Sequence, residues 1–357
     1  MIPLSEVGYT LTRVGVLMSP DPDDPREAEG VLNPATGRTR DGRLWLLPRM
    51  VAAGNVSRVG LAEIVVTDGV PSEVRRERVV LEPDEAWERG STHAGVEDPR
   101  ITWLADLGQW VMSYVAYGPL GPRPALAVSV DLARWRRLGP LLFGYQPKLG
   151  VDLNLFSNKD VALFPEPVRA PDGTPSYAVL HRPTWDLSWI RPDQGTVAPP
   201  GVTDNRPGIW VSFAPVAEVV RDVRNLVRLT QHRQVALPAY PYESLRIGAG
   251  PPPVRVPEGW LLIHHGVSGR ITPGREPQRH VHYSVGAMLL DADDVTRVIA
   301  RTENPLLRPE LAQERTGTVA NVVFPTAIEE INGARYVFYG MADAHIGVAR
   351  LDRCPGA

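Results

Sequence analysis

Four short stretches of this chain set charged and hydrogen-bonding side chains into otherwise apolar surroundings. Glu97 and Asp98 stand side by side in "GVEDPRIT", followed by Pro99 and Arg100. Asn158, Lys159 and Asp160 form "NKD" ahead of "VALFPE", His264 and His265 end the run "WLLIHH", and Asp343 closes "YGMAD". Arg49, Tyr117, His181 and Arg182 end further apolar runs, and Asn33 and Asn321 begin two others. A buried charge costs several kcal/mol unless it is paired or used. A carboxyl able to carry a proton, gathered with cations able to hold an anion, suits acid-assisted bond cleavage. The structural alternative pairs Asp98 with Arg100 and Asp160 with Lys159 as plain salt bridges. For one residue the two readings balance; for a set that recurs in register, a site is favoured.

The register comes from a repeat. The runs "LWLLPRM" (from 44), "WVMSYVAYG" (110), "YAVLHRP" (177), "WLLIHHG" (260) and "YVFYGMAD" (336) start 66, 67, 83 and 76 residues apart. Each follows another short run ("VLNPATG", "DPRITWL", "VALFPEP", "PPPVRVP", "VVFPTAI"), and most precede a third. Their length, β-branching and Gly/Pro boundaries read as strands. Three or four strands per 65 to 85 residues predicts an all-β, five-bladed β-propeller, because radial repetition leaves few sheet edges exposed. The expected blades cover roughly 30–90, 91–150, 151–235, 245–310 and 311–357 of one domain, with the N-terminal segment closing a blade. Val216, Val219, Val220, Val223, Leu226 and Val227 follow helical spacing and predict a helix at the junction of the third and fourth blades. The Pro/Gly-rich segments 191–208 and 269–280 read as rim loops, and "GAGPPP" from 248 as a blade's leading loop, since no helix follows to cradle phosphate.

A formal net charge of −3 gives no reason to expect nucleic acid or an anionic membrane as partner. Cys354 is the single cysteine, so neither an internal disulfide nor a thiolate cluster can form. No 18-residue apolar run is present, and the N-terminus lacks a basic start followed by an apolar segment, so a cytoplasmic protein is expected. Of 38 basic residues only Lys148 and Lys159 are lysines, which singles out the lysine in "NKD". His280 and His282 share a strand face and could join His264 or His265 on zinc, but no carboxylate pattern accompanies them and no metal is expected.

"GVEDPRIT", "NKDVALFPE" with "YAVLHRP", "GWLLIHHG" with "YSVGAMLLD", and "GTVANVVFP" with "YVFYGMADAHIGVA" together resemble glycoside hydrolase family 130, in order over residues 30 to 352. The resemblance implies a five-bladed propeller acting on β-mannosides, mostly by inverting phosphorolysis to α-mannose 1-phosphate, with some members hydrolases. It implies that Asp98 is the general acid and that Lys159, His265, Tyr283 and, in a looser alignment, Arg123 hold phosphate. It implies that Asp343 binds the non-reducing mannose, with Arg49, Asn55, Glu97, Arg100, Asp160 and His181 completing the sugar-binding set. The expected partners are a β-mannoside and phosphate as co-substrate, with no cofactor, and a homo-oligomer is open. The segments "TWDLSWIRPDQG" and "RDVRNLVRL" depart from the family pattern on the leaving-group side.

Inverting cleavage needs an acid on the leaving oxygen and a nucleophile on the other ring face. Water as nucleophile needs a carboxylate base, for which Glu314 in "QERTG" is the candidate; phosphate needs cations instead. A non-catalytic sugar-binding propeller is the reading from a different class. Asp98 is expected to have a raised pKa through burial. Glu97, its strand neighbour, is expected to point to the opposite face. Trp185 and Trp189 stack either on a leaving-group sugar or in the core.

Overall fold

A computed structural model describes residues 7–187, 193, 195–272, 278 and 280–354. The repeat seen in the sequence becomes five antiparallel units of four main strands. Unit 1 runs through Gly30–Arg38, Leu44–Ala52, Val56–Thr67 and Val70–Leu81, and unit 2 through Ala94–Leu104, Gln109–Gly118, Gly121–Ser129 and Arg136–Pro140. Unit 3 comprises Ser157–Leu163, Pro175–Thr184, Ile209–Pro215 and Arg228–Ala236; unit 4 comprises Arg246–Ala249, Gly259–Arg270, His280–Leu290 and Val298–Arg301. In unit 5, Val323–Ile331, Ala334–Met341 and His345–Arg353 are completed by the N-terminal strand Tyr9–Met18, which pairs antiparallel with His345–Arg353. Units 1 and 2 join into one sheet where Val56 and Ser57 pair parallel with Ala94 and Gly95. Only glycine fits at 95: its φ is +118°, and a Cβ there would lie 2.2 Å from the Ser57 carbonyl oxygen.

Each of the five apolar runs is the second strand of its unit, and each is apolar on both faces for one reason. Side chains alternate between two seams. In unit 4, Leu261 and Ile263 pack toward unit 5 while Trp260 and Leu262 pack toward unit 3. Five such apolar clusters fill the seams between units 1 and 2, 2 and 3, 3 and 4, 4 and 5, and 5 and 1. The leading strands gather together: Gly30–Arg38 contacts Ala94–Leu104 and Val323–Ile331, and Ser157–Leu163 contacts Ala94–Leu104 and Arg246–Ala249.

Several expectations are corrected. The "PPPVRVP" run is not the leading strand of unit 4: Val254–Val256 is a short edge pairing with one end of Gly259–Arg270, and Arg246–Ala249 leads instead. The helical pattern breaks in two, an α-helix Val216–Arg221 and a 3-10 turn Val223–Val227. Asp222 lies between them in extended conformation and caps the Arg224 N–H. Segment 269–280 is loop only in part, since paired strands reach Arg270 and resume at His280; residues 273–277 and 279 of it, and 191, 192 and 194 of the other rim segment, lie outside the described residues. No helix among the described residues is long and apolar enough to cross a membrane.

Candidate active site

The leading strands are not straight. In units 1 to 3 the pairing slips between Leu32 and Ala35, Glu97 and Arg100, and Lys159 and Ala162. At each slip one residue takes a left-handed backbone: Asn33 (φ 41°), Asp98 (φ 49°) and Asp160 (φ 57°). Asn and Asp tolerate this conformation better than most residues, and a bulge re-aims side chains toward one face. This is why adjacent polar residues of the motifs meet in one cavity of about 650 Å³. It also corrects the expectation for Glu97: instead of diverging from Asp98, both carboxylates reach the same guanidinium. Arg49 Nη2 donates to Glu97 Oε1 at 2.7 Å and Nη1 to Asp98 Oδ1 at 3.0 Å.

Around Arg49 the cavity is rich in carboxyls. Arg49 also donates to Ser57 Oγ and Asn55 Oδ1. Lys159 Nζ donates to Glu97 Oε2 at 3.2 Å and sits 5.3 Å from the centre of the Tyr117 ring. Asn33 donates to Asp98 Oδ1 at 2.8 Å, so that oxygen carries two donors while Oδ2 takes none among the described residues. Burial pushes the Asp98 carboxyl up, but Arg49, Lys159 and the Asn33 amide outweigh it and hold the group below its ordinary value. The raised carboxyl is a different one. Burial, with Asp98 and Glu97 nearby, pushes Asp343 up to about 6 against the pull of Arg49 and Lys159.

On the side built by units 3 and 4, cations outnumber carboxylates. Asp160 Oδ2 accepts from Arg182 Nε at 2.5 Å, and Arg100 and His265 lie 3.5 Å from its two oxygens. Burial alone would raise Asp160; Arg182, His265 and Arg100 hold it far below the carboxylate range. Burial lowers His265 to about 3, so its imidazole is neutral, and its ring packs 4.4 Å from Phe324. Gly248 makes this contact feasible, since a Cβ there would fall 2.1 Å from Asp160 Oδ2 and 2.5 Å from His265 Cε1. Tyr283 accepts a 2.6 Å hydrogen bond from Arg246 Nη2.

Arg49, Asn55, Glu97, Asp98, Lys159, Asp160, His265, Tyr283 and Asp343 thus all line one cavity. Four other candidates do not. Glu314 is fully buried under Arg13 and Tyr339, and accepts from the backbone N–H groups of Glu310 and Leu311; burial would raise its pKa, but Arg13 and those two N–H groups together lower it. Arg123 donates to the carbonyls of Asn154 and Phe156 as a loop brace. His181 is fully buried between Asn158 and Ser212. Arg100 donates to the carbonyls of Ala249 and Gly250 and pins units 2 and 4 together. Trp185 is core, edge-on to Phe156 and Trp210, and Trp189 lies outside the described residues. His280 and His282 are exposed on their strand, opposite Arg270 and Ser268. Sequence reasoning missed Arg246, Glu29 and His93, which line the cavity. Glu29 accepts from the N–H groups of Gly54 and Asn55. For Arg246 a signal existed, an arginine two residues before a glycine in a short apolar run.

A family model described as β-1,4-mannooligosaccharide phosphorylase, that of glycoside hydrolase family 130, matches residues 10–353. The chain is 31% identical over 301 residues to a 1,2-β-oligomannan phosphorylase of Thermoanaerobacter sp. (strain X514), covering 83% of this chain and 79% of that one. It is 32% identical over 304 residues to a β-1,2-mannobiose phosphorylase of the same organism (84% and 78% covered). Among solved structures, β-1,2-mannobiose phosphorylase of Listeria innocua superposes with a TM-score of 0.68 at 21% identity, covering 96% of each chain, a likeness of fold. By sequence, the chain belongs to glycoside hydrolase family 130.

Proposed function

We propose that this chain is a five-bladed β-propeller enzyme that cleaves β-mannosides with phosphate and inversion, giving α-mannose 1-phosphate and a shortened sugar. The fold reading rests on the five seams, the last of which joins unit 5 to unit 1 with the N-terminal strand as its closing piece. The reaction reading rests on one observation above all: Lys159, Arg182 and Arg246 face the same cavity as Asp98, while the carboxylate nominated as a water-activating base, Glu314, is locked beneath Arg13 outside it. Phosphate carries its own negative charge and needs cations to hold it rather than a base to activate it. The names of the relatives point the same way.

In this reading a phosphate oxygen attacks the anomeric carbon from the face opposite the leaving group. As that C–O bond forms, the glycosidic C–O bond breaks and its oxygen takes the proton of Asp98. Asp98 is fixed through Oδ1, and Oδ2 is left to exchange the proton. Free Asp98 is ionised by its neighbours, so protonation accompanies binding: phosphate drawn onto Lys159 and its neighbouring cations weakens their pull on the carboxyl. Asp343 and Arg49 hold the mannose, and neutral His265 and Tyr283 complete the phosphate site. Incubation with β-1,2- and β-1,4-mannobiose, with and without phosphate, tests the reading. The expected product is mannose 1-phosphate, formed only with phosphate; phosphate-independent release of mannose would establish hydrolysis instead.

A further inference from the structure

The five leading strands have a second end. Where Asn33, Asp98 and Asp160 open onto the catalytic cavity, residues three to five positions further along open onto another recess, of about 380 Å³. That volume falls within the range of small-molecule sites, roughly 300 to 1,000 Å³. Nothing in the reaction above uses this recess.

Its lining is mixed in a specific way. Trp103 and Trp110 face each other across paired strands, ring centres 5.0 Å apart and planes tilted by 58°, and both are only partly buried. Prolines 252 and 253 form another part of the wall. The polar side chains are those of Thr36, Thr102, Thr326 and Glu329, while Arg255 lines the recess but turns its guanidinium onto the Trp260 ring and the Ala292 carbonyl. The Glu329 side chain is 16% exposed, its nearest cation is Arg38 at 3.9 Å, and the Thr36 hydroxyl bonds to it. Burial pushes this carboxyl up to about 7, so near neutral pH it is a hydrogen-bond donor as well as an acceptor.

These features select a ligand class. An anion would meet Glu329 with no cation of the lining turned to hold it, and a cation would meet Arg38 beside Glu329. A flat protein face could not enter a recess bounded by several units. Tryptophan faces with threonine hydroxyls and a carboxyl around them suit a ring that is apolar on its faces and hydroxylated at its edges. Among the described residues Glu329 is the single carboxyl of the lining, so no second carboxyl stands there to make the acid–base pair of hydrolysis.

We propose that this recess is a non-catalytic binding site for a neutral oligosaccharide, with a sugar ring set against the Trp103–Trp110 pair. The choice of a mannoside as its ligand rests on the reading of the first cavity. The site would hold a longer chain on the enzyme between turnovers without contributing a reacting group.

The test uses the full chain with Asp98→Asn, which stops turnover, titrated calorimetrically with β-1,2- and β-1,4-mannotriose in the absence of phosphate. Two binding events are expected. Adding Trp110→Ala should abolish one and leave the other unchanged. Adding Glu329→Gln with Thr36→Val, which keeps both indoles, should weaken the same event at least tenfold. In the otherwise wild-type chain, Trp110→Ala should leave turnover of mannobiose within twofold. A single event that neither set of substitutions moves would overturn the proposal. Phosphate-dependent turnover is read separately: two events without turnover would fail the phosphorylase reading alone, and turnover with one event would fail this inference alone.

Discussion

The two sides of the cavity proposed as the active site use the same residue types in opposite proportion. Around Arg49, three carboxyls (Glu97, Asp98 and Asp343) share one guanidinium and the Lys159 ammonium. Around Asp160, one carboxylate is shared by Arg182, Arg100 and His265. Burial raises Asp98, Asp160 and Asp343 alike; the local ratio of charges decides the outcome. Where carboxyls are in excess, Asp343 is left near 6, able to hold a proton in the physiological range. Where cations are in excess, Asp160 stays ionised, and His265 stays neutral through its burial, with Arg182 and Arg100 adding to the effect. The first composition suits proton handling and sugar hydroxyls, and the second suits an incoming anion.

Substitutions that abolish one side while sparing the other test this division. The largest effect is expected for Asp98→Asn. A positioned general acid contributes roughly 10²- to 10⁴-fold, so phosphorolysis should fall by that order in kcat, with the KM for phosphate changed far less. Unchanged turnover would remove Asp98 from the mechanism. Lys159→Ala should act in the opposite pattern. Hydrogen bonds to charged groups contribute about 1.5–3 kcal/mol, so the KM for phosphate should rise roughly tenfold to a hundredfold, with the sugar's KM changing least. An equal rise in both constants would show that Lys159 serves the sugar side through Glu97 instead.

The sequence carried the strands and the four motifs because both leave periodic marks. Second strands such as "WLLIHHG" are apolar on both faces because two seams enclose them, and the motifs recur along the leading strands or in and just after the second strands of their units. What could not be read is the bulge. A left-handed φ at Asp98 accompanies a slip in its pairing with the next strand, Gln109–Gly118, which leaves no mark in the apolar pattern, so simple alternation wrongly sent Glu97 to the other face. The same limit explains His181. Among strand-end polar residues it looks like Arg182, yet it belongs to a buried string in which His232 donates to the Gly144 carbonyl. Ser212 then donates to His232 Nδ1, His181 to Ser212, and Asn158 to His181 Nδ1. Glu314 was misplaced because its partner Arg13 lies 301 residues away, on the strand that completes unit 5. Arg246 was missed because its strand is four residues long and its neighbours are glycine-rich.

The smallest expected effect is also the most selective for the carboxyl-rich side, and it concerns Asp343. Its folded pKa of about 6 lies above the ordinary aspartate value of 3.8. The sign is therefore opposite to that of a salt-bridged carboxylate. The folded state favours the protonated form, so stability is fully present below pH 4 and declines as pH rises toward and through 6. Asp343→Asn has no such titration. The melting temperature of the variant should match or trail that of the wild type near pH 4, gain on it between pH 4 and 6, and hold a constant lead above pH 7. The same substitution at Asp160, whose carboxylate is stabilised by its cations, should instead lower stability throughout that range. If the Asp343→Asn lead failed to grow with pH, the excess of carboxyls around Arg49 would not be what distinguishes the two sides, and proton handling would have to be assigned to Asp98 alone.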